Sequence, residues 1–264
     1  MINARLVATD LDGTLLDDEG RLGEYTEQVL QQVQELGVRV VVVTARPLRW
    51  MHELWGRIGG GRGIGIVSNG AITYDIARQE VLECHGIPAE VGLPMVEAIR
   101  QAAPGTTFAL ECLGGYRHEP EYVDLHPTPP DMRVGDLATL WDEPAVKVLA
   151  QHLGSDPGDF RGRVFEAVGE LATPTWTTDH LVEISAPGVT KGGALAVLCE
   201  QLEVPPSDVV AFGDMPNDIP MLSWAGASFA VANAHPSVLE VAAHRAPSNL
   251  DEGVAVTLAR LFDL

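Results

Sequence analysis

Short apolar runs alternate with segments whose apolar residues recur at helical spacing. Arg5 to Thr9 carries Leu6, Val7 and Ala8 and stops at Asp10-Leu11-Asp12-Gly13, which reads as a buried strand ending in a turn. Glu24 to Leu36 places Val29, Leu30, Val33 and Leu36 on one helical face, and Gly37 stops it. Val38 to Val43 is an unbroken β-branched run, the signature of a strand covered on both faces. Pro47 suits a first helical turn, with the helix continuing from Leu48 to Ile58. Gly59 to Gly65 is loose and glycine-rich. Ile64 to Val67 reads as a third strand, and Ala71 to Tyr74 with Glu80 to His85 as a hairpin.

From about Ile87 the texture changes. Pro94 to Ala103 reads as a helix, and Thr106 to Cys112 and Gly115 to His118 as strands. Glu119 to Glu143, rich in Pro and Asp, reads as an irregular excursion. A strand (Ala145 to His152), a helix (Asp159 to Leu171) and a hairpin (Thr173 to Thr177, Leu181 to Ser185) follow. That order predicts an antiparallel sheet with helices on one face. After Gly188 the first texture returns: helix Lys191 to Glu203, strand Val209 to Phe212, helix Ile219 to Ala225, strand Ser228 to Val231, and helices Val238 to Ala242 and Gly253 to Phe262. The alternation at both ends predicts an α/β fold with a doubly wound parallel sheet. Its core is expected over about 1–82 and 189–264, interrupted by an α+β domain over about 83–188.

Charge narrows the partners. Lys and Arg total 17 against 37 Asp and Glu, a formal charge of −20 over 264 residues. That argues against a nucleic-acid polymer and against an anionic membrane surface. The three cysteines, Cys84, Cys112 and Cys199, are widely spaced without C-x-x-C, as expected of free buried thiols in a reducing compartment. No signal-peptide pattern stands at the N-terminus, and no apolar run approaches a membrane span. A cytoplasmic location is expected.

Candidate chemistry gathers at strand ends. Asp10 and Asp12 follow the first strand, Thr44 the second, Asn69 the third, and Asp214, Asn217 and Asp218 the strand at Val209. Strand ends share one edge of a parallel sheet, so residues some 200 positions apart can meet there. Lys191 opens a helix that can reach the same edge. If the backbone stays extended, Asp10 and Asp12 point to one side and repel unless a cation lies beside them. Oxygen ligands suit a hard divalent ion: Asp10 and Asp214 could supply carboxylates and the Asp12 segment a backbone carbonyl. Thr44 with neighbouring N–H groups could hold phosphate oxygens, and Lys191 could neutralise transferring charge. Asp218 suits either a ligand role or a helix N-cap. Arg46 either caps the site or pairs elsewhere, and Asn69-Gly70 is first a turn signal. The histidines show no metal-ligand spacing, and no Walker loop is present.

Asp10-Leu11-Asp12-Gly13-Thr14, Thr44, Lys191 and Gly213-Asp214-x-x-Asn217-Asp218 resemble, in order, the four motifs of the haloacid dehalogenase-like superfamily. The insertion between Thr44 and Lys191, Ser68-Asn69-Gly70-Ala71 and Asn233 are similar to the type IIB, Cof-type phosphatases. The resemblance implies a Mg²⁺-dependent phosphatase acting on a small phosphorylated metabolite. It implies Asp10 as nucleophile forming an aspartyl phosphate and Asp12 as general acid and base. It implies Thr44, Ala45, Arg46, Lys191 and Asn217 as phosphate or substrate contacts, and Asp10, Asp12, Asp214 and Asp218 around the metal. Many relatives carry Gly where this chain has Ala45, whose methyl is expected to be tolerated but could narrow the pocket beside the phosphate. A sugar phosphomutase of the same type and a non-catalytic phosphate sensor are the rival readings. The identity of the substrate (sugar phosphate, nucleotide or phosphorylated cofactor) and the oligomeric state stay open.

Overall fold

The computed structural model describes residues 4–58, 63–124, 129 and 131–264. His126 and most of the glycine-rich stretch at 59–65 lie outside these residues, as does part of the excursion after Glu119. The chain divides into two compact units, one formed by Met1–Glu83 with Thr190–Leu264 and the other by Cys84–Val189. Among the described residues no helix is long and apolar enough to cross a membrane.

In chain order the elements are β1 (Leu6–Thr9), α1 (Glu24–Glu35), β2 (Arg39–Val43), α2 (His52–Ile58), β3 (Ile64–Val67), β4 (Ile72–Asp75) and β5 (Glu80–Cys84). The second unit contributes α3 (Ala89–Ala102), β6 (Thr107–Cys112), β7 (Gly115–His118), β8 (Arg133–Val134), α4 (Leu137–Leu140), β9 (Ala145–Gln151), α5 (Pro157–Val168), β10 (Thr173–Thr178) and β11 (Leu181–Ser185). The first unit resumes with α6 (Lys191–Gln201), β12 (Val209–Gly213), α7 (Ile219–Trp224), β13 (Ala227–Val231), α8 (Pro236–Val241), β14 (His244–Ala246) and α9 (Gly253–Phe262).

The sheet of the first unit runs β14-β13-β12-β1-β2-β3-β4-β5. Pairs from β14 to β3 are parallel, and β3 with β4 is antiparallel. From β1 the chain winds outward through β2 and β3, then returns to β12 on the other flank. Right-handed crossovers therefore lay the two sets of helices on opposite faces. Consistent with this, α1 packs on α2 and α9, while α7 packs on α6 and α8. The order reverses between β1 and β12, the place where open α/β sheets hold ligands. Unbroken runs such as Val40–Val43 and Val209–Phe212 are buried because helices cover both faces.

The second unit holds a sheet of order β10-β11-β9-β6-β7-β8, antiparallel except for β7 with β8. Alternate residues of β6, β9 and β11 (Phe108, Leu110, Val148, Ala150, Val182 and Ile184) join Met95 and Ile99 of α3 and Phe160 and Val164 of α5 in one core. Burying each Val, Leu, Ile, Phe or Met side chain among them stabilises by roughly 1.5–3 kcal/mol.

Several elements differ from their sequence-based expectations. Helix α3 begins at Ala89, not Pro94, and carries the proline in its interior. The proline removes one backbone bond, but Val91 and Leu93 pack on the same core as Met95 and Val96 and hold the earlier turns in place. The helix expected over Leu48 to Ile58 is a 3₁₀ turn, Leu48–Trp50, followed by α2. Strand β14, with three residues of which two are exposed, carries no apolar pattern that marks a strand.

Candidate functional site

Strand β1 runs one residue further than its ladder, since Asp10 N–H donates to Phe212 O at 3.1 Å. The chain then turns at once: Leu11 O accepts the N–H groups of Thr14, Leu15 and Leu16. The backbone is thus not extended through Asp12, and the two carboxylates part company. Asp10 is 5% exposed. The Asp12 side chain is 55% exposed and lies in a bidentate pair with Arg46, Nε to Oδ2 at 2.8 Å and Nη2 to Oδ1 at 2.5 Å. The turn needs glycine at position 13. Its φ is +74°, and a Cβ there would stand 2.5 Å from Asp214 Oδ2.

Two segments distant in sequence, the start of α6 and the loop after β12, reach Asp10. Lys191, the first residue of α6, places Nζ 2.8 Å from Asp10 Oδ1 and 2.6 Å from Asp218 Oδ1. It can do so because Thr190 caps the helix, its hydroxyl accepting from Gly193 N–H at 3.0 Å. Asp214 follows β12, and its Oδ1 accepts the Thr14 hydroxyl at 2.7 Å. Asp218 Oδ2 accepts the N–H groups of Asp214 and Met215, each at 3.0 Å, and so fixes the loop that carries Asp214. Among the described residues, Asp10, Asp214 and Asp218 each offer a carboxylate oxygen within 4.8 Å of the others. Asp12 is not part of this group; its carboxylate, expected near the metal, is held instead by the guanidinium of Arg46.

Thr44, at the end of β2, is fully buried and donates its N–H to Ile66 O at 2.9 Å. Its hydroxyl oxygen accepts Arg46 N–H at 3.0 Å, which leaves the hydroxyl proton to donate. Asn217 Nδ2 donates to Asn69 Oδ1 at 3.0 Å, and Asn217 Oδ1 is buried without a hydrogen-bond partner. Ala45 sits between Thr44 and Arg46 at the same strand end.

Three carboxylates face one ammonium in a dry place. Burial, then Asp218, pushes the Asp10 carboxyl well above the usual range, against the pull of Lys191. Burial and Asp218 push Asp214 up to about 6, opposed by the Thr14 hydroxyl. Burial alone would lower the Lys191 ammonium, but Asp10 and Asp218 outweigh it and raise it above its ordinary value. The group carries two uncompensated negative charges when ionised, which a divalent cation would neutralise.

Three residues, Thr14, Asn233 and Asn249, complete the surroundings. Thr14 orients Asp214, as above. Asn233 Nδ2 donates to Gly13 O at 2.7 Å, and Asn233 Oδ1 accepts Asn249 N–H at 3.0 Å. Asn249 Nδ2 in turn donates to Leu16 O at 3.0 Å. Asn249 had no local sequence signal, because it acts on a turn 233 positions away.

Comparison with known proteins identifies the family. Residues 7–258 match the family of haloacid dehalogenase-like hydrolases. The chain is 30% identical over 261 residues to a phosphoglycolate phosphatase of Methanopyrus kandleri, covering 98% of this chain and 97% of that one. It is 26% identical over 265 residues to the 5-amino-6-(5-phospho-D-ribitylamino)uracil phosphatase YitU of Bacillus subtilis, covering 98% of each. Its fold is similar to that of SMU.1108c from Streptococcus mutans, with a TM-score of 0.88 at 24% identity, over 99% of this chain and 100% of that one. The chain therefore belongs to the haloacid dehalogenase-like hydrolase family, as a phosphatase of its Cof type.

Proposed function

We propose that this phosphatase hydrolyses a small phosphate monoester through an aspartyl phosphate on Asp10. The observation that carries the reading is the buried Asp10–Lys191 contact at 2.8 Å inside a group of three carboxylates. A buried carboxylate beside a fixed ammonium can approach a phosphoryl group whose own charge the ammonium offsets.

The donor set is all oxygen and carries excess negative charge, which fits Mg²⁺. Asp10 and Asp214 would hold the ion through carboxylates, and the Asp12 segment through its main-chain carbonyl. Asp218, already accepting from Lys191 and two N–H groups, would orient Asp214 and Lys191. When bound, the ion would supply neutralising charge that lets a phosphate dianion enter a carboxylate-rich site.

In the first step an Asp10 oxygen attacks phosphorus, the bond to the leaving oxygen breaks, and that oxygen takes a proton from the Asp12 carboxyl. In the second, the Asp12 carboxylate takes a proton from water, whose oxygen attacks phosphorus and displaces Asp10. Lys191, the Thr44 hydroxyl, Ala45 N–H and the Asn217 amide hold the remaining phosphoryl oxygens. Both Asp12 oxygens accept from Arg46 at the rim, so one must leave the guanidinium and take up a proton before Asp12 serves as the acid of the first step. The inserted residues, about 83–188, are proposed to select the leaving group.

The test is phosphate release with Mg²⁺ from a panel of sugar phosphates, nucleotides and phosphorylated cofactors, run beside Asp10→Asn. Turnover by the unaltered protein, falling at least about 10³-fold in the variant, supports the nucleophile role. Substantial turnover by Asp10→Asn removes it. Transfer of phosphate between sugar hydroxyls without release would make the protein a mutase.

A further inference from the structure

The turn after β3 is the least ordinary piece of backbone near the site. Ser68, Asn69 and Gly70 take φ values of +51°, +59° and +101° in succession. Two of these are side-chain-bearing residues in the left-handed region, and both are buried, Ser68 fully and Asn69 to 3% exposure. Such conformations persist only where the surroundings enforce them.

The surroundings here are the groups proposed to hold the phosphoryl. Asn69 N–H donates to Thr44 O at 3.0 Å, and Ser68 N–H donates to Arg46 O at 3.0 Å. A Cβ on Gly70 would stand 2.4 Å from Thr190 O, so the turn lies directly against the start of the helix that begins with Lys191. The Asn69 side chain accepts from Asn217 Nδ2 at 3.0 Å. One three-residue turn thus touches the segments carrying Thr44, Lys191 and Asn217.

An amide nitrogen has two hydrogens. With one committed to Asn69, the Asn217 amide is fixed in plane and its second N–H is aimed. Without Asn69 the amide can rotate, and its donor no longer has one direction.

We propose that Asn69 is a positioning residue of the phosphoryl site, acting through the Asn217 amide, which its side-chain oxygen orients. This rests on the reading of Asn217 as a phosphoryl contact. Asn69 suits the position twice over, because asparagine tolerates left-handed backbone and carries the acceptor.

Asn69→Gly tests the proposal with the backbone conformation preserved, since glycine accepts that φ without strain. The readouts are the Kd of inorganic phosphate by calorimetry with Mg²⁺ present, and KM and kcat for p-nitrophenyl phosphate. Asn217→Ala and the double variant are measured beside it. Asn69→Gly is expected to weaken phosphate binding and raise KM by about three- to tenfold, with a smaller change in kcat. In the Asn217→Ala background the same change is expected to do nothing further, because the residue it acts through is gone. An equal effect in both backgrounds, or none in either while Asn217→Ala weakens phosphate, overturns the positioning role. No effect of Asn217→Ala itself overturns the reading of Asn217 instead. Should the glycine variant fail to fold, Asn69→Ser removes the amide oxygen while keeping a short polar side chain of the kind Ser68 already carries in left-handed backbone. It is expected to weaken phosphate binding while Asn217 is present and to do nothing further in Asn217→Ala, and an equal effect in both backgrounds overturns the proposal.

Discussion

Asp10 and Asp12 are two residues apart and live in different media. Asp10 is enclosed with Lys191, Asp214 and Asp218, whereas Asp12 lies at the rim on Arg46. The glycine between strand and loop makes this division. In Gly13→Ala the new methyl meets Asp214 Oδ2, and an alanine at φ +74° adds roughly 1–2 kcal/mol of strain. The expected result is a lower Tm together with about tenfold weaker Mg²⁺ binding, read by calorimetry. Unchanged Mg²⁺ affinity would separate the turn from the metal site. The thiols offer a second check at this scale. Cys84 is exposed, contrary to the expectation of three buried thiols, while Cys112 and Cys199 are buried. Burial pushes Cys112 up to about 12 and Cys199 up to about 11. A thiol reagent at pH 8 should therefore modify one cysteine in the native protein and three after denaturation. Rapid modification of more than one in the native state would contradict the packing around β6 and α6.

At the scale of elements, α1 shows how a helix start can be completed from far along the chain. Its N-cap, Gly23, has no side chain to accept a bond. Glu252 supplies the acceptor: its Oε2 takes both the N–H and the hydroxyl of Thr26, each at 2.7 Å. A carboxylate at a helix N-terminus also meets the positive end of the dipole. Glu252→Ala should cost about 1–2 kcal/mol and lower Tm by a few degrees, with KM for phosphate esters unchanged. A Tm within one degree of the unaltered protein would show that water replaces the cap without loss. The capping pair joins residues 226 positions apart, so neither partner announces it locally.

At the scale of the whole molecule, the ends of β1 and β12 bring three buried carboxylates together beside one ammonium. Asp214 titrates at about 6 instead of the ordinary 3.8, because burial and Asp218 disfavour its charge. The folded state therefore keeps a proton between those values that the unfolded state gives up. This contribution to stability is full below about pH 4 and lost as pH rises through about 6. In chelator-treated protein, melting temperature against pH should show this downward component, and Asp214→Asn should lack it. At pH 7, Mg²⁺ at a hundred times its Kd should stabilise the unaltered protein by about 2.7 kcal/mol. The same addition should leave Asp214→Asn nearly unmoved. An equal response in both proteins would place the bound ion elsewhere.

The amino-acid sequence by itself determined the alternation of strands and helices, and with it the doubly wound sheet. Runs such as Val40–Val43 carry enough local apolar pattern to name their own state. It also placed the chemistry at strand ends, because in a parallel sheet those ends must share an edge. Tertiary structure alone decided which side chains at that edge share a dry space. Asp10 meets Lys191 there, while Asp12 goes to Arg46. The left-handed turn at Ser68-Asn69-Gly70, the cap from Glu252 and the start of α3 before Pro94 were likewise settled by partners distant in sequence. The physical reason is common to all of them. A local pattern reports the average environment of a segment, burial against water, whereas a hydrogen bond or an ion pair depends on where one atom of another segment arrives.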